Sequence, residues 1–374
     1  MSVQRPIRVC HFSSVHPWSD IRVLHKECVS LAASGMDVTL IAVGENNDEF
    51  SEHGVKVVAM HNTFRGRLNR ATKFAQAVVE RALQEDADIY HFHDPELLRF
   101  ARQFKRRGKH IVYDVHEDLP RQIMTKQWIP AWLRKPLSTL VEFWENRAAG
   151  NVTAIVAATP VIRERFHRTG KPSVCIFNAP MLREFNLEVK PDYASRRVIY
   201  VGLISRKRGI LELLKAMEHI DGRLHLAGKF EDDQLREQCT QMPGWKKVDY
   251  HGVVGRADIV RLLGESALGI VTLHPTISYM ESYPIKMFEY MGAGLPVLAS
   301  DFPLWESIVV DEHTGICVDP MDVHLMARIA NELLSDAPLS AKMGANGRAY
   351  VRDRFNWEAE AKKLVAFYHE ICST

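Results

Sequence analysis

In the stretch HPTISYMESYPIKMFEYMGAGLPVLAS (274–300), Glu281 and Glu289 are separated by seven residues, with Pro284 and Lys286 between them. Proline suits the first turn of a helix, where its missing amide leaves nothing unbonded. Glu281 then falls in the loop before that helix and Glu289 about a turn inside it, while MGAG stops the helix ahead of an apolar strand. A loop carboxylate and a helical carboxylate aimed at one crevice suit bidentate holding of sugar and ribose hydroxyls. A second group is cationic: in YVGLISRKRGI, Gly202 permits a tight turn and Ser205, Arg206, Lys207 and Arg208 crowd the start of the next helix. A helix N-terminus beside cations is a place for phosphate, although a charge run taken alone is usually a solvated face. A third group is imidazole with carboxylate. HFHDPELL and YDVHEDLP set His91, His93, Asp94, His116, Glu117 and Asp118 at neighbouring strand ends, where they can orient hydroxyls or move protons.

Each group also has a plainer interpretation. One of His91 and His93 is expected to face inward as a core histidine, whereas His116 closes its strand and is expected to be functional. Histidines with carboxylates also allow a metal site, but their spacing fits no standard ligand pattern, so no metal is expected. Asp86 and Asp88 form a D-x-D at the amino end of a strand, the wrong end for a ligand. Asp20 opens a helix with Arg22, and an N-cap is as good a reading of it as a binding role. No G-x-G-x-x-G follows the first strand, which weakens a dehydrogenase reading.

The elements that must position these groups alternate regularly. Short β-branched runs at 7–13, 37–43, 55–60, 87–93, 110–116, 154–159 and 173–178 are separated by helical stretches, the rhythm of a parallel sheet covered on both faces. APMLREFNLEVKPDYASRR (179–197) breaks it and reads as a linker. A second alternation runs from 197 to 319, followed by helices to the end of the chain. The expectation is two Rossmann-like doubly wound α/β domains, with ligands beyond the carboxyl ends of their strands. The boundaries are 1–180, a linker at 181–196, 197–355, and a terminal helix at 356–374 packing back on the first domain.

The 374 residues carry 48 Lys+Arg against 46 Asp+Glu, so net charge implies no affinity for nucleic acid. The first half is the basic one, with 27 Lys+Arg against 21 Asp+Glu in residues 1–190. Six cysteines lie far apart and read as buried small hydrophobes in a reducing compartment. No apolar run is long enough to span a bilayer, so a cytoplasmic protein is expected. Arg65, Arg67, Arg70 and Lys73, the cations of 101–109, and QWIPAWLRKPL (127–137) with Trp128 and Trp132 suit an anionic membrane surface.

The E-x7-E block with EYMGAGLPVLAS resembles the donor-sugar motif of glycosyltransferase family four, the group 1 enzymes with the GT-B fold. The likeness extends over nearly the whole chain: DIR at Asp20, HFHDPELL, YDVHED, YVGLISRKRG, LHLAGKF, VDYHGVV, TGICVDPMD and the terminal NWEAEAKKLVAFY. It implies two domains facing a central cleft and a retaining transfer from a nucleotide diphosphate sugar to a glycan or lipid-linked acceptor, as in surface polysaccharide assembly. Neither a metal nor another cofactor is implied. Carried over, Glu281 contacts the donor sugar and Glu289 the ribose, and Arg208 takes the place of the pyrophosphate-binding lysine. His116 matches the strand-end histidine near sugar and acceptor. Leu203 stands where the family often has arginine, so Arg206 or Lys286 must share the phosphate charge. SSVHPWSD replaces a glycine-rich loop, leaving Asp20, Arg22, His93 and Asp94 as acceptor-side residues. A sugar-nucleotide 2-epimerase and a non-catalytic sugar-nucleotide-binding subunit are the alternatives. Consumption of a sugar nucleotide without acceptor or nucleotide release would mark the epimerase, and absence of turnover the subunit.

Overall fold

The computed structural model describes residues 5–126, 128–185 and 189–373; Gln127 of the aromatic segment and 186–188 of the expected linker lie outside them. Contacts divide the chain into two compact units, Met1–Asn178 with Ala359–Thr374, and Ala179–Glu358.

Unit 1 is built on the strands β1 (Arg8–Pro17), β2 (Asp37–Gly44), β3 (Asp48–Glu52), β4 (Val55–His61), β5 (Ile89–Phe92), β6 (His110–Val115), β7 (Ala154–Ala157) and β8 (Ser173–Cys175). They lie in the order β3-β4-β2-β1-β5-β6-β7-β8. All neighbours are parallel except β3, an antiparallel edge strand whose charged DEFSE gave no apolar alternation to detect. Period two decides what β1 and β5 present. Phe12, Tyr90 and Phe92 go to one face and join Phe104 in the apolar core, so His11, His91 and His93 share the other. Both histidines of HFH are therefore buried on one side, contrary to the expectation that only one faces inward. The strand order reverses between β1 and β5, which is where a crevice opens in such sheets.

Unit 2 has six parallel strands, β9 (Arg197–Val201), β10 (Arg223–Ala227), β11 (Val248–Gly252), β12 (Leu268–Val271), β13 (Val297–Ser300) and β14 (Gly315–Val318). Their order is β11-β10-β9-β12-β13-β14, with the reversal between β9 and β12. The described part of the expected linker is bonded into this unit: the Asp192 amide donates to Gly264 O at 3.0 Å and the Tyr193 hydroxyl to Gly294 O at 2.7 Å. The terminal helix Trp357–Ser373 joins unit 1 from Ala359 onward, where Glu360 accepts from the Phe177 amide at 3.0 Å.

Candidate functional site

In unit 2 the chain leaves β9 through Gly202 (φ +119°), a backbone state that favours glycine. A Cβ there would stand 3.5 Å from both Arg208 Nη1 and Lys286 Nζ, so the two cations converge on this turn. Lys286 is buried on the helix Ile285–Ala293, with Nζ 3.7 Å above the Tyr200 ring. Arg208 Nε, Lys286 Nζ and Thr272 Oγ1 are all buried without a hydrogen-bond partner among the described residues. Burial, and then the Arg208 charge, hold the Lys286 ammonium well below its ordinary pKa. Two cations with orphaned donors at the carboxyl ends of β9 and β12 are costly unless an anion completes them. Arg206, the other cation expected at the phosphate turn, donates to Gln238 Oε1 at 2.8 Å.

Glu289, one turn beyond Lys286, is buried with Oε1 2.7 Å from Arg256 Nη1. Arg256 also donates to Glu184 Oε2 at 2.9 Å and so sits between two carboxylates. Glu281 is exposed at the end of the short helix Ile277–Met280, whose start is capped by Thr276. The Trp305 indole donates to Ser282 O at 2.8 Å and pins this loop.

In unit 1, His116 Nε2 lies 2.7 Å from Asp114 Oδ2 and 3.0 Å from His93 Nδ1. Asp114 is fully buried, and burial opposes its ionisation, but Arg22 and then His116 hold it well below the carboxylate range. Arg22, expected on the acceptor side, lines the same cavity as His93 and His116 and reaches inward from it. It is buried, donating to Ile176 O at 3.1 Å and Asp114 Oδ1 at 3.2 Å, with Nε 2.9 Å from Glu27 Oε1. Asp20 is the N-cap, accepting from the Arg22 and Val23 amides at 2.9 and 3.0 Å, and its other oxygen meets His16 Nδ1 at 3.4 Å. Asp94 is buried and accepts from the Ser13 hydroxyl at 2.9 Å and the Ser14 amide at 2.6 Å; burial raises its pKa. His16, Asp20, His93, Asp94 and His116 line a cavity of about 620 Å³. The D-x-D is spent on ion pairs, Asp88 with Arg5 and Asp86 with Lys109.

Sequence reasoning missed Arg256, Thr272, His11, His16, Glu27, Asp114 and Tyr368. Asp114 was within reach, since it lies two residues before His116 and so shares its face. Tyr368 was not: its hydroxyl lies 3.1 Å from His11 Nε2 across 357 positions and also bonds His91 Nδ1.

A family model described as "Glycosyl transferases group 1" matches residues 187–350, and one described as "Glycosyltransferase Family 4" matches residues 22–179. The phosphatidyl-myo-inositol mannosyltransferase of Mycobacterium leprae is 22% identical over 360 residues, 92% of this chain and 91% of that protein. An uncharacterized glycosyltransferase of Methanocaldococcus jannaschii is 29% identical over 178 residues, 46% of this chain and 44% of that protein. Sucrose-phosphate synthase from Thermosynechococcus elongatus superposes with a TM-score of 0.79 at 18% identity, covering 98% of this chain and 100% of that one. Anabaena HepE, solved with UDP and glucose, gives 0.71 at 16% identity over 97% and 100%.

Proposed function

The chain belongs to the group 1 glycosyltransferases of family four, with their GT-B fold, and we propose that it moves a sugar from a nucleotide diphosphate sugar to a glycan or lipid-linked acceptor with retention of configuration. The observation that carries this reading is the convergence of buried Lys286 and half-buried Arg208 at the Gly202 turn, where Lys286 Nζ and Arg208 Nε have no hydrogen-bond partner among the described residues. A diphosphate supplies the missing charge. As the bond from the sugar's anomeric carbon to phosphate oxygen breaks, negative charge grows on the leaving diphosphate, and fixed cations in a dry site stabilise that state most. The acceptor oxygen bonds to the same carbon from the same face and its proton passes to the leaving phosphate. Glu289 takes the ribose hydroxyls, because a carboxylate has about four acceptor positions and Arg256 occupies only part of them. Glu281 takes sugar hydroxyls, and His116, oriented by Asp114, positions a sugar or acceptor hydroxyl at the unit 1 cavity. Asp20, Arg22, His93 and Asp94 shape that cavity.

On this reading the diphosphate needs no metal, since protein cations take its charge. Calorimetric titration with UDP, GDP and their sugars tests the site. One nucleotide should bind, equally well in excess EDTA, and Lys286→Met should abolish binding while the chain stays folded. Unchanged binding in that variant, or a requirement for manganese, would overturn the assignment. We also propose that unit 1 meets an anionic membrane surface, at which a lipid-linked acceptor would be presented. No helix among the described residues is long and apolar enough to cross a membrane.

A further inference from the structure

We propose that unit 1 binds one divalent transition-metal ion of the zinc class through His11, His91, His93 and Glu27. The four come from three elements. His11 and His91 are directly paired on the parallel strands β1 and β5, His93 follows two residues later on the same face, and Glu27 descends from the helix Ile21–Cys28. All four are 0–3% exposed. One nitrogen or oxygen from each lies within 4.8 Å of those of the other three. His11 Nδ1 is 3.1 Å from His93 Nε2, and Glu27 Oε2 is 3.9 Å from both His11 Nδ1 and His91 Nε2. Zinc bonds to nitrogen and carboxylate oxygen of about 2.0–2.2 Å put tetrahedral ligand atoms roughly 3.3–3.6 Å apart. The observed separations bracket that edge.

The far side of each histidine is already hydrogen-bonded, and Glu27 is ion-paired on its outer oxygen. His11 Nε2 and His91 Nδ1 both meet the Tyr368 hydroxyl, His93 Nδ1 meets His116 Nε2 at 3.0 Å, and Glu27 Oε1 lies 2.9 Å from Arg22 Nε. Outer partners of this kind fix which ring nitrogen faces a metal and how the ring is turned. On the inner side His11 Nδ1 and His93 Nε2 bond each other, while the other two ligands are unsatisfied. His91 Nε2 and Glu27 Oε2 are buried without a hydrogen-bond partner, and the carboxylate oxygen facing His91 Nε2, Asp114 Oδ2, is 3.5 Å away. Buried polar atoms are normally paired, and an ion at the centre would complete these. Arg22 pairs with both Asp114 and Glu27, and Glu27 Oε2 is the carboxylate oxygen left toward the ion. Because all four ligands are spent and buried, the site is closed and structural, joining β1, β5 and, through Tyr368, the terminal helix. It touches none of Arg208, Lys286, Glu281 and Glu289, and its ligand His93 adjoins His116 at the unit 1 cavity, so metal binding is read separately from transfer.

Metal analysis of the full chain, produced in zinc-supplemented medium and desalted, tests this directly, together with Co²⁺ titration of the chelator-stripped chain. About one equivalent of zinc per chain is expected, with the visible absorption of tetrahedral cobalt and a melting temperature that rises on zinc addition. Tyr368→Phe, which leaves every ligand in place, should weaken binding about tenfold to a hundredfold. His225→Gln, in unit 2, should leave it unchanged. A folded wild-type chain with neither bound metal nor a cobalt band would overturn the proposal. So would undiminished binding in a Glu27→Gln, His91→Gln double variant; if that variant does not fold, the wild-type titration decides.

Discussion

Lys286 makes the donor site sensitive to pH with a definite sign. Its pKa is well below the ordinary lysine value in the free protein because it is buried and beside Arg208. A bound diphosphate restores a compensating charge and raises that pKa, so binding takes up a proton. Affinity therefore falls as pH rises between the lowered free value and the higher bound one. Calorimetry in two buffers of different ionisation enthalpy should show this uptake, and its absence would mean that the diphosphate does not contact Lys286. The two carboxylates separate by what they touch. Glu289→Ala should weaken nucleotide binding about tenfold to a hundredfold, the loss of a charged hydrogen bond worth roughly 1.5–3 kcal/mol. Glu281→Gln should lower turnover while nucleotide affinity holds, and normal kinetics in both folded variants would refute their roles. These two residues were legible because they sit within one loop and one helix. Arg256, which holds Glu289, was not, since it arrives from the helix Arg256–Gly264 on a different turn of the fold.

Single elements carry two further outcomes. Gly209 (φ +73°) starts the helix Ile210–His219, and a Cβ there would lie 2.0 Å from Thr272 O, so Arg208 keeps its place through backbone contact between two strand ends. Gly209→Ala should cost about 1–3 kcal/mol in a urea titration from backbone strain, with further loss from the collision. A midpoint equal to wild type would show that the turn relaxes freely. The helix Ala131–Ala149 buries only Glu145 and Ala149 fully, while Trp132 is 78% exposed and Leu140, Phe143 and Trp144 follow on the same face. Trp128, 72% exposed, precedes it. Of the cations expected to assist, Arg70 is paired with Glu96 and Lys109 with Asp86, which shifts the weight to the apolar face. Cosedimentation with anionic liposomes should fall in the Trp132→Ser, Phe143→Ser double variant and at high salt. Equal binding to neutral liposomes would remove the electrostatic part, and no binding to either would remove the membrane surface altogether.

At the scale of the molecule, a nucleotide should stabilise one unit rather than both. At a hundred times its dissociation constant a ligand adds about 2.7 kcal/mol to the state that binds it. Hydrogen exchange with saturating nucleotide should slow around residues 200–209 and 285–293 of unit 2, and leave the β1 and β5 amides of unit 1 unchanged. Protection confined to unit 1 would reverse the assignment of the two halves. The fold at this scale was largely readable, because strands buried on both faces are short aliphatic runs whose period is visible locally. The edge strand β3 and the bonded course of residues 189–196 were not, since their residues are polar and only their neighbours give them structure.

The sequence by itself determined the two α/β halves, the strand ends where polar residues gather, and the carboxylate pair with its lysine, because each is written in spacings of a few residues. Only the tertiary structure decided which side chains meet. It turned Arg22 inward to Asp114, sent Arg206 to Gln238 and left Arg208 facing Lys286. It also set His11, Glu27, His91 and His93 around one point with Tyr368 behind them. Those meetings depend on the pairing of β1 with β5 and on the return of the terminal helix to unit 1. Both are fixed by burial of apolar faces far apart in the chain, where local spacing carries no information.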